Sequence, residues 1–185
     1  MFSTQQLRFR AYQPADQENI LALWNDPRVL SGLTEGNVVP LSADHFDKLN
    51  FMIKDSVMFC VVEELEGGAF VGISAILTAE PKDRNATFGI AVSPSLWHKG
   101  YGGEITNFMV DHAFQHLAVH RISLTVFEGN DRAIALYKRI GFVEEARTRK
   151  LVWIDGGWRD LVHMGILDDE WAALKKQWAE ERSMS

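Results

Sequence analysis

Two stretches of this sequence bring together residue types that could do chemistry at fixed spacing. The first, from Val92 to Glu104, reads V-S-P-S-L-W-H-K-G-Y-G-G-E. It leaves the apolar run 86–92, turns at Pro94, crosses a basic, glycine-rich loop and opens a helical pattern with Ile105, Phe108, Met109, His112 and Ala113 on one face. Gly100, Gly102 and Gly103 carry no Cβ, so the backbone can come close to a ligand. The first N–H groups of such a helix lack intrahelical partners, its dipole turns a positive end to the loop, and Lys99 adds a full charge. That combination suits a phosphate or pyrophosphate, although a strand–helix turn that binds nothing would read the same way. A Rossmann G-x-G-x-x-G fails, because Ile105 stands where the third glycine belongs, and no Gly-Lys-Ser/Thr occurs in the chain. Both facts argue against a dinucleotide or a nucleoside triphosphate.

The second stretch runs Val126-Phe127-Glu128-Gly129-Asn130-Asp131-Arg132-Ala133, then on to Gly141-Phe142. Ala133, Leu136, Tyr137 and Ile140 share a helical face, and Arg132, Lys138 and Arg139 lie away from it. Asn130 or Asp131 suits an N-cap, and Gly141 suits the position after the helix end. Read by itself, Tyr137 is one more aromatic on a buried face.

Taken together the two stretches resemble the GNAT superfamily of N-acetyltransferases. Trp97-His98-Lys99-Gly100-Tyr101-Gly102 is similar to its acyl-CoA loop, Gln/Arg-x-x-Gly-x-Gly/Ala. The closest likeness is to the branch that holds ribosomal-protein N-terminal and spermidine acetyltransferases, where tryptophan at the first position is common. His98 departs from that branch, which usually has glycine there. N-x-x-A-x-x-L-Y-x-x-x-G-F, from Asn130 to Phe142, resembles the second motif position by position. Two motifs in the right order, about 25–30 residues apart, are far more specific than either alone.

The resemblance implies acetyl-CoA as co-substrate. It implies that the strands at 86–92 and 122–127 splay apart, so that backbone near Ile90, Ala91 and Val92 pairs with the pantetheine arm. Trp97, His98, Lys99, Gly100, Tyr101, Gly102 and Gly103, with Asn130, Ala133, Tyr137 and Lys138, would hold the cofactor. Tyr137 would be the general acid, since a phenol of ordinary pKa near ~10 keeps its proton at neutral pH and can give it to a departing thiolate; Asn130 would bond the pantetheine or a water. Glu35 falls where polyamine acetyltransferases carry acidic residues, and Thr87 where spermidine acetyltransferases generally carry glutamate. A threonine cannot pair with an ammonium as a charge, which weighs against a polyamine acceptor. Glu35, Glu128, His163 and a water chain are the candidates for the general base.

The elements that must position these groups follow from pattern. Leu7-Arg8-Phe9-Arg10-Ala11 alternates as a half-exposed strand, and Ile20, Leu23 and Trp24 mark an amphipathic helix ending before Pro27. A short segment, Arg28 to Leu33, leads to a loop from Thr34 to Pro40, and Ser42 suits the N-cap of a helix with Phe46, Leu49 and Ile53 inward. Strands are expected at 57–64, 69–79, 86–92 and 122–127, with a closing hairpin at 143–154 and 158–167 around Asp155-Gly156-Gly157. The fold class is therefore α/β (α+β). A single domain, 1–185, would carry a central mixed twisted sheet of about seven strands flanked by helices. Its core spans about 7–167, and a C-terminal helix, 168–182, presents Trp171, Leu174 and Trp178. That helix either covers the sheet or meets the second copy of a homodimer.

Bulk properties set further bounds. The 185 residues, 46% hydrophobic and 24% charged, read as an ordinary globular domain, and a net charge of -6 without a basic block argues against nucleic acid. Cys60 alone excludes an internal disulfide. No signal-peptide core and no membrane-length apolar run is present, so a cytoplasmic protein is expected. His112, His116 and His120 lie four apart, but with neither an HExxH glutamate nor a cysteine partner no metal site is expected. The absence of G-x-S-x-G argues against a hydrolase triad. The expected activity is transfer of an acetyl group to a primary amine, a peptide or protein N-terminus or a small amine, by direct attack in a ternary complex. The alternatives are a polyamine acetyltransferase or a non-catalytic acyl-CoA sensor.

Overall fold

Alternation dictates the first long pairing. Leu7 and Phe9 of β2 (Leu7–Arg10) are buried, while Arg8 and Arg10 reach Glu63 on the neighbouring strand β3 (Ser56–Glu64). The computed structural model describes residues 2–33, 37–42, 50, 53–78 and 82–183. Its remaining strands are β1 (Phe2–Ser3), β4 (Phe70–Thr78), β5 (Asn85–Val92), β6 (Arg121–Phe127), β7 (Val143–Ile154) and β8 (Gly157–Leu167). They form one sheet in the order β1-β2-β3-β4-β5-β6-β8-β7. Neighbours are antiparallel except β5 and β6, which run parallel, so the sheet is mixed. The eighth strand, one more than the pattern predicts, is the two-residue β1, too short to show a period.

Helices cover both faces, as a two-sided sheet requires. On one face lie α3 (Tyr101–His116), α4 (Asp131–Ile140) and α5 (Asp168–Ser183), through Ile105, Met109, Ala113, Tyr137, Ile140 and Trp171. On the other lie α1 (Gln17–Trp24) and α2 (Pro27–Leu33), where Ile20, Leu23 and Val29 pack on Val61, Ile73 and Ala91. Pro27 ends one helix and begins the next, its fixed φ fitting a first turn. The short segment 28–33, given no secondary structure from the sequence, is thus helical.

Of the two roles expected for the last helix, it covers the sheet: Trp171 is buried, and Leu174 and Trp178 pack against the same core. The turn before β7 is cut to fit it, since a Cβ at Gly141 would stand 2.3 Å from Leu174 Cδ1. Glu35 and most of the helix expected after Ser42 lie outside the described residues. Cys60 is buried, and burial pushes its thiol up to about 11. No described helix is long and apolar enough to cross a membrane.

Candidate active site

The site starts from an interrupted pairing. β5 and β6 share only the rungs Asn85↔Arg121, Ala86↔Ile122 and Thr87↔Ser123. Beyond them β5 stays paired with β4 as far as Val92, and β6 stays paired with β8 as far as Phe127, so the two strands part and a gap opens. Ser93 N donates to Val71 O at 2.9 Å, which fixes the alternation: odd-numbered residues at this end bond to β4. The N–H groups of Ile90 and Val92 and the Ile90 carbonyl therefore face the gap. The Val92 carbonyl is taken by Trp97 Nε1 at 2.9 Å, which ties the glycine-rich loop to the edge of the gap.

That loop turns through a 3-10 helix at Pro94–Leu96 and two left-handed residues, His98 (φ 68) and Gly100 (φ 86), before α3 begins. Positive φ at His98 is a conformation that glycine adopts without steric cost, which fits the glycine that the resemblance leads one to expect there. Lys99 turns away from the cleft, 3.4 Å from Glu64 of β3, which also accepts from the Tyr101 hydroxyl at 2.7 Å. The cation at the loop is instead Arg132 in the first turn of α4, 5.9 Å over the Trp97 ring and 3.3 Å from His98 Nε2. Sequence reasoning left Arg132 on the solvent side. Its place two residues past an N-cap, at the helix end nearest the loop, was the available signal.

Asn130 caps α4: its side chain accepts from Ala133 N at 3.3 Å. One helical face later Tyr137 is buried, edge-on to Phe88 at 6.4 Å and to Phe142 at 5.8 Å between ring centres. Burial pushes its phenol up to about 12, because an apolar wall gives the phenolate nothing to bond.

These elements enclose a cleft of about 470 Å³. Of the residues picked from the sequence, Ile90, Ala91, Val92, Trp97, His98, Tyr101, Gly102, Asn130, Ala133 and Tyr137 line it together. Others stand elsewhere. Lys138 pairs with Glu144 at 3.0 Å, Gly100 is the left-handed N-cap of α3 outside the cleft lining, and Gly103 serves packing, since a Cβ there would meet Leu136 Cδ1 at 3.3 Å. Thr87 is exposed on β5, outside the cleft lining. Among the base candidates, Glu128 lines the cleft, whereas His163 bonds Thr148 Oγ1 at 2.9 Å on β8. The cleft also takes Arg28, Val29 and Ser31 from α2, Asp155 from the β7–β8 turn and Arg159 from β8, none of which sequence reasoning placed in the site. The three histidines are placed by packing and capping: His112 stacks on Phe108 and meets the His116 ring at a tilt, and His120 bonds Asp168.

Comparison with known proteins gives a consistent result. The family model described as an acetyltransferase (GNAT) domain matches residues 6–143. A spermidine N(1)-acetyltransferase of Vibrio cholerae is 29% identical over 167 residues, covering 90% of this chain and 95% of that one. A putative ribosomal N-acetyltransferase of Bacillus subtilis, YdaF, is 27% identical over 60% of this chain and 61% of its own length. The crystal structure of the Vibrio cholerae spermidine N-acetyltransferase in complex with CoA and spermine superposes with a TM-score of 0.81 at 29% identity, covering 91% of this chain and 99% of that one.

Proposed function

Because this chain belongs to the acetyltransferase (GNAT) family and is an acetyl-CoA-dependent N-acetyltransferase, we propose that it passes the acetyl group directly to a primary amine inside a ternary complex, with Tyr137 as the general acid. The observation that carries this reading is the parting of β5 from β6 with a buried, protonated phenol at the cleft they open. The gap suits an acyl-CoA, because its β5 edge offers a strand's worth of backbone groups that β6 does not take up.

Bound there, acetyl-CoA supplies a thioester whose carbonyl carbon accepts the amine and whose sulfur leaves. The Ile90 and Val92 N–H groups are held by the β4 ladder and are the donors on hand for a carbonyl oxygen in the gap. Arg132, Trp97 and the start of α3 supply the positive and stacking surface for the cofactor's phosphates and nucleotide. As the C–N bond forms and the C–S bond breaks, Tyr137 gives its proton to the sulfur and regains one from solvent. Glu128 in the cleft lining and water are the acceptors for the proton that the attacking amine sheds.

For the acceptor we favour a peptide or protein N-terminus or a small amine. The cleft lining carries both signs: Glu128 and Asp155 as well as Arg28 and Arg159. Asp26 neutralises Arg28, but no ion pair joins Arg159 to another described residue. A polycation gains less from such a wall than an amine that carries an acid or amide group of its own. A second reading, acetylation of polyamines, is favoured by the near full-length likeness to a spermidine acetyltransferase. A thiol-release assay over peptides, small amines and polyamines decides between them. Turnover highest with peptides supports the first, and turnover highest with spermidine or spermine replaces it with the second. CoA binding without acceptor-dependent thiol would overturn both.

A further inference from the structure

From Phe88 to Val92, β5 is laddered on one side only, so its course along the gap is set by β4. Two small residues on one face of β4 shape that course. Ser74 is 1% exposed, and its hydroxyl donates to the Gly89 carbonyl at 3.0 Å. Two residues earlier, a Cβ built on Gly72 would lie 2.0 Å from the Ala91 carbonyl oxygen and 3.0 Å from Val92 Cα. Gly72 has no positive φ, so the requirement there is for space and not for backbone freedom. The Ala91 carbonyl leans into the room that a side chain at residue 72 would fill, and the Gly89 carbonyl leans onto Ser74.

A peptide unit is planar, so tilting its carbonyl one way tilts the following N–H the other way. The next N–H groups are those of Ile90 and Val92, the two that face the gap. We infer that Gly72 and Ser74 are positioning residues of the acyl-transfer site. By seating two β5 carbonyls they aim the gap-facing N–H groups and hold β5 clear of the bound acyl-CoA arm. The inference rests on the acyl-CoA reading of the gap.

Titrating CoA into Gly72→Ala by calorimetry tests it, with thermal melting to measure the folded fraction. Moving the Ala91 carbonyl out to contact distance pushes β5 toward the gap, so the Kd of the folded variant should rise about tenfold or more. A merely structural role would lower the Tm and leave that Kd within about twofold, and this result overturns the inference. Should Gly72→Ala fail to fold, Ser74→Ala decides. It removes one hydroxyl and no packing, and should weaken CoA about threefold; unchanged affinity overturns the inference. The wild-type acceptor panel is independent of this test. Wild-type binding without turnover removes the acyl-transfer reading and leaves the Gly72 result standing. Normal turnover with unaltered CoA affinity in both variants removes only the inference.

Discussion

A phenol walled by Phe88 and Phe142 has no partner for a negative charge, and Tyr137 is accordingly pushed up to about 12. Tyr137→Phe should lower kcat about 10²–10⁴-fold while CoA affinity stays nearly unchanged; equal loss of both, read by steady-state kinetics and calorimetry, contradicts the acid role. The sign of the shift also constrains the pH profile. A raised pKa keeps the proton on Tyr137 through pH 10, so kcat should show no falling limb there from this group. A limb near pH 10 that vanishes in Tyr137→Phe would contradict the raised pKa. Tyr137 and Asn130, which line the cleft, were legible because the motif that resembles the family's is contained in one helix and its cap. Lys99 was not, because the swing of a long cation depends on Glu64, 35 residues away in sequence. Arg132 escaped for the matching reason: its partners, Trp97 and His98, belong to the other motif.

Elements showed their ends more clearly than their neighbours. Asn130 caps α4, Gly141 follows it and Pro27 opens α2, each for a reason local to a few residues. What rests on Gly141 could not be read locally. At φ 120, with Leu174 Cδ1 2.3 Å from where a Cβ would stand, it serves both the helix end and the seating of α5. Gly141→Ala should therefore cost about 2 kcal/mol or more, seen as a lower urea midpoint with an unchanged slope. An unshifted midpoint would show that Leu174 moves aside and that residue 141 tolerates the backbone angle.

At the scale of the whole molecule, the succession of long strands along the chain was readable from their periods, the helix Pro27–Leu33 was not, and the expected fold class holds. The parting of β5 and β6 was not in the pattern; it came only through family likeness, because both strands are simply apolar and β4 and β8 draw them apart. Arg10 joins the 3-10 turn at Asp16 to Glu63 of β3 with contacts at 2.6 Å, and both carboxylates are nearly buried. Arg10's hydrogen bond holds Asp16 below the usual carboxylate range; at Glu63, burial pushes upward and is outweighed by Arg10 and Arg8. Arg10→Met should thus cost about 3–5 kcal/mol, measured by denaturant unfolding at neutral pH. Depressed native pKa values give stability that is full above the unfolded carboxylate range and drains away as pH falls below about 4. The variant should lose less between pH 5 and pH 2 than the wild type does, and an identical acid profile would remove these two carboxylates from the account.

The three shared rungs have a mechanical consequence. The sheet is two plates, β1–β5 and β6–β8, hinged at Thr87 and Ser123 and clamped by helices lying across them. An occupant of the wedge is mortar as well as reagent, and when it departs the seam should breathe first. Hydrogen exchange at the amides of 86–92 and 121–127 should slow on adding CoA more than anywhere else in the sheet; uniform slowing across all strands would mean the plates were already fused.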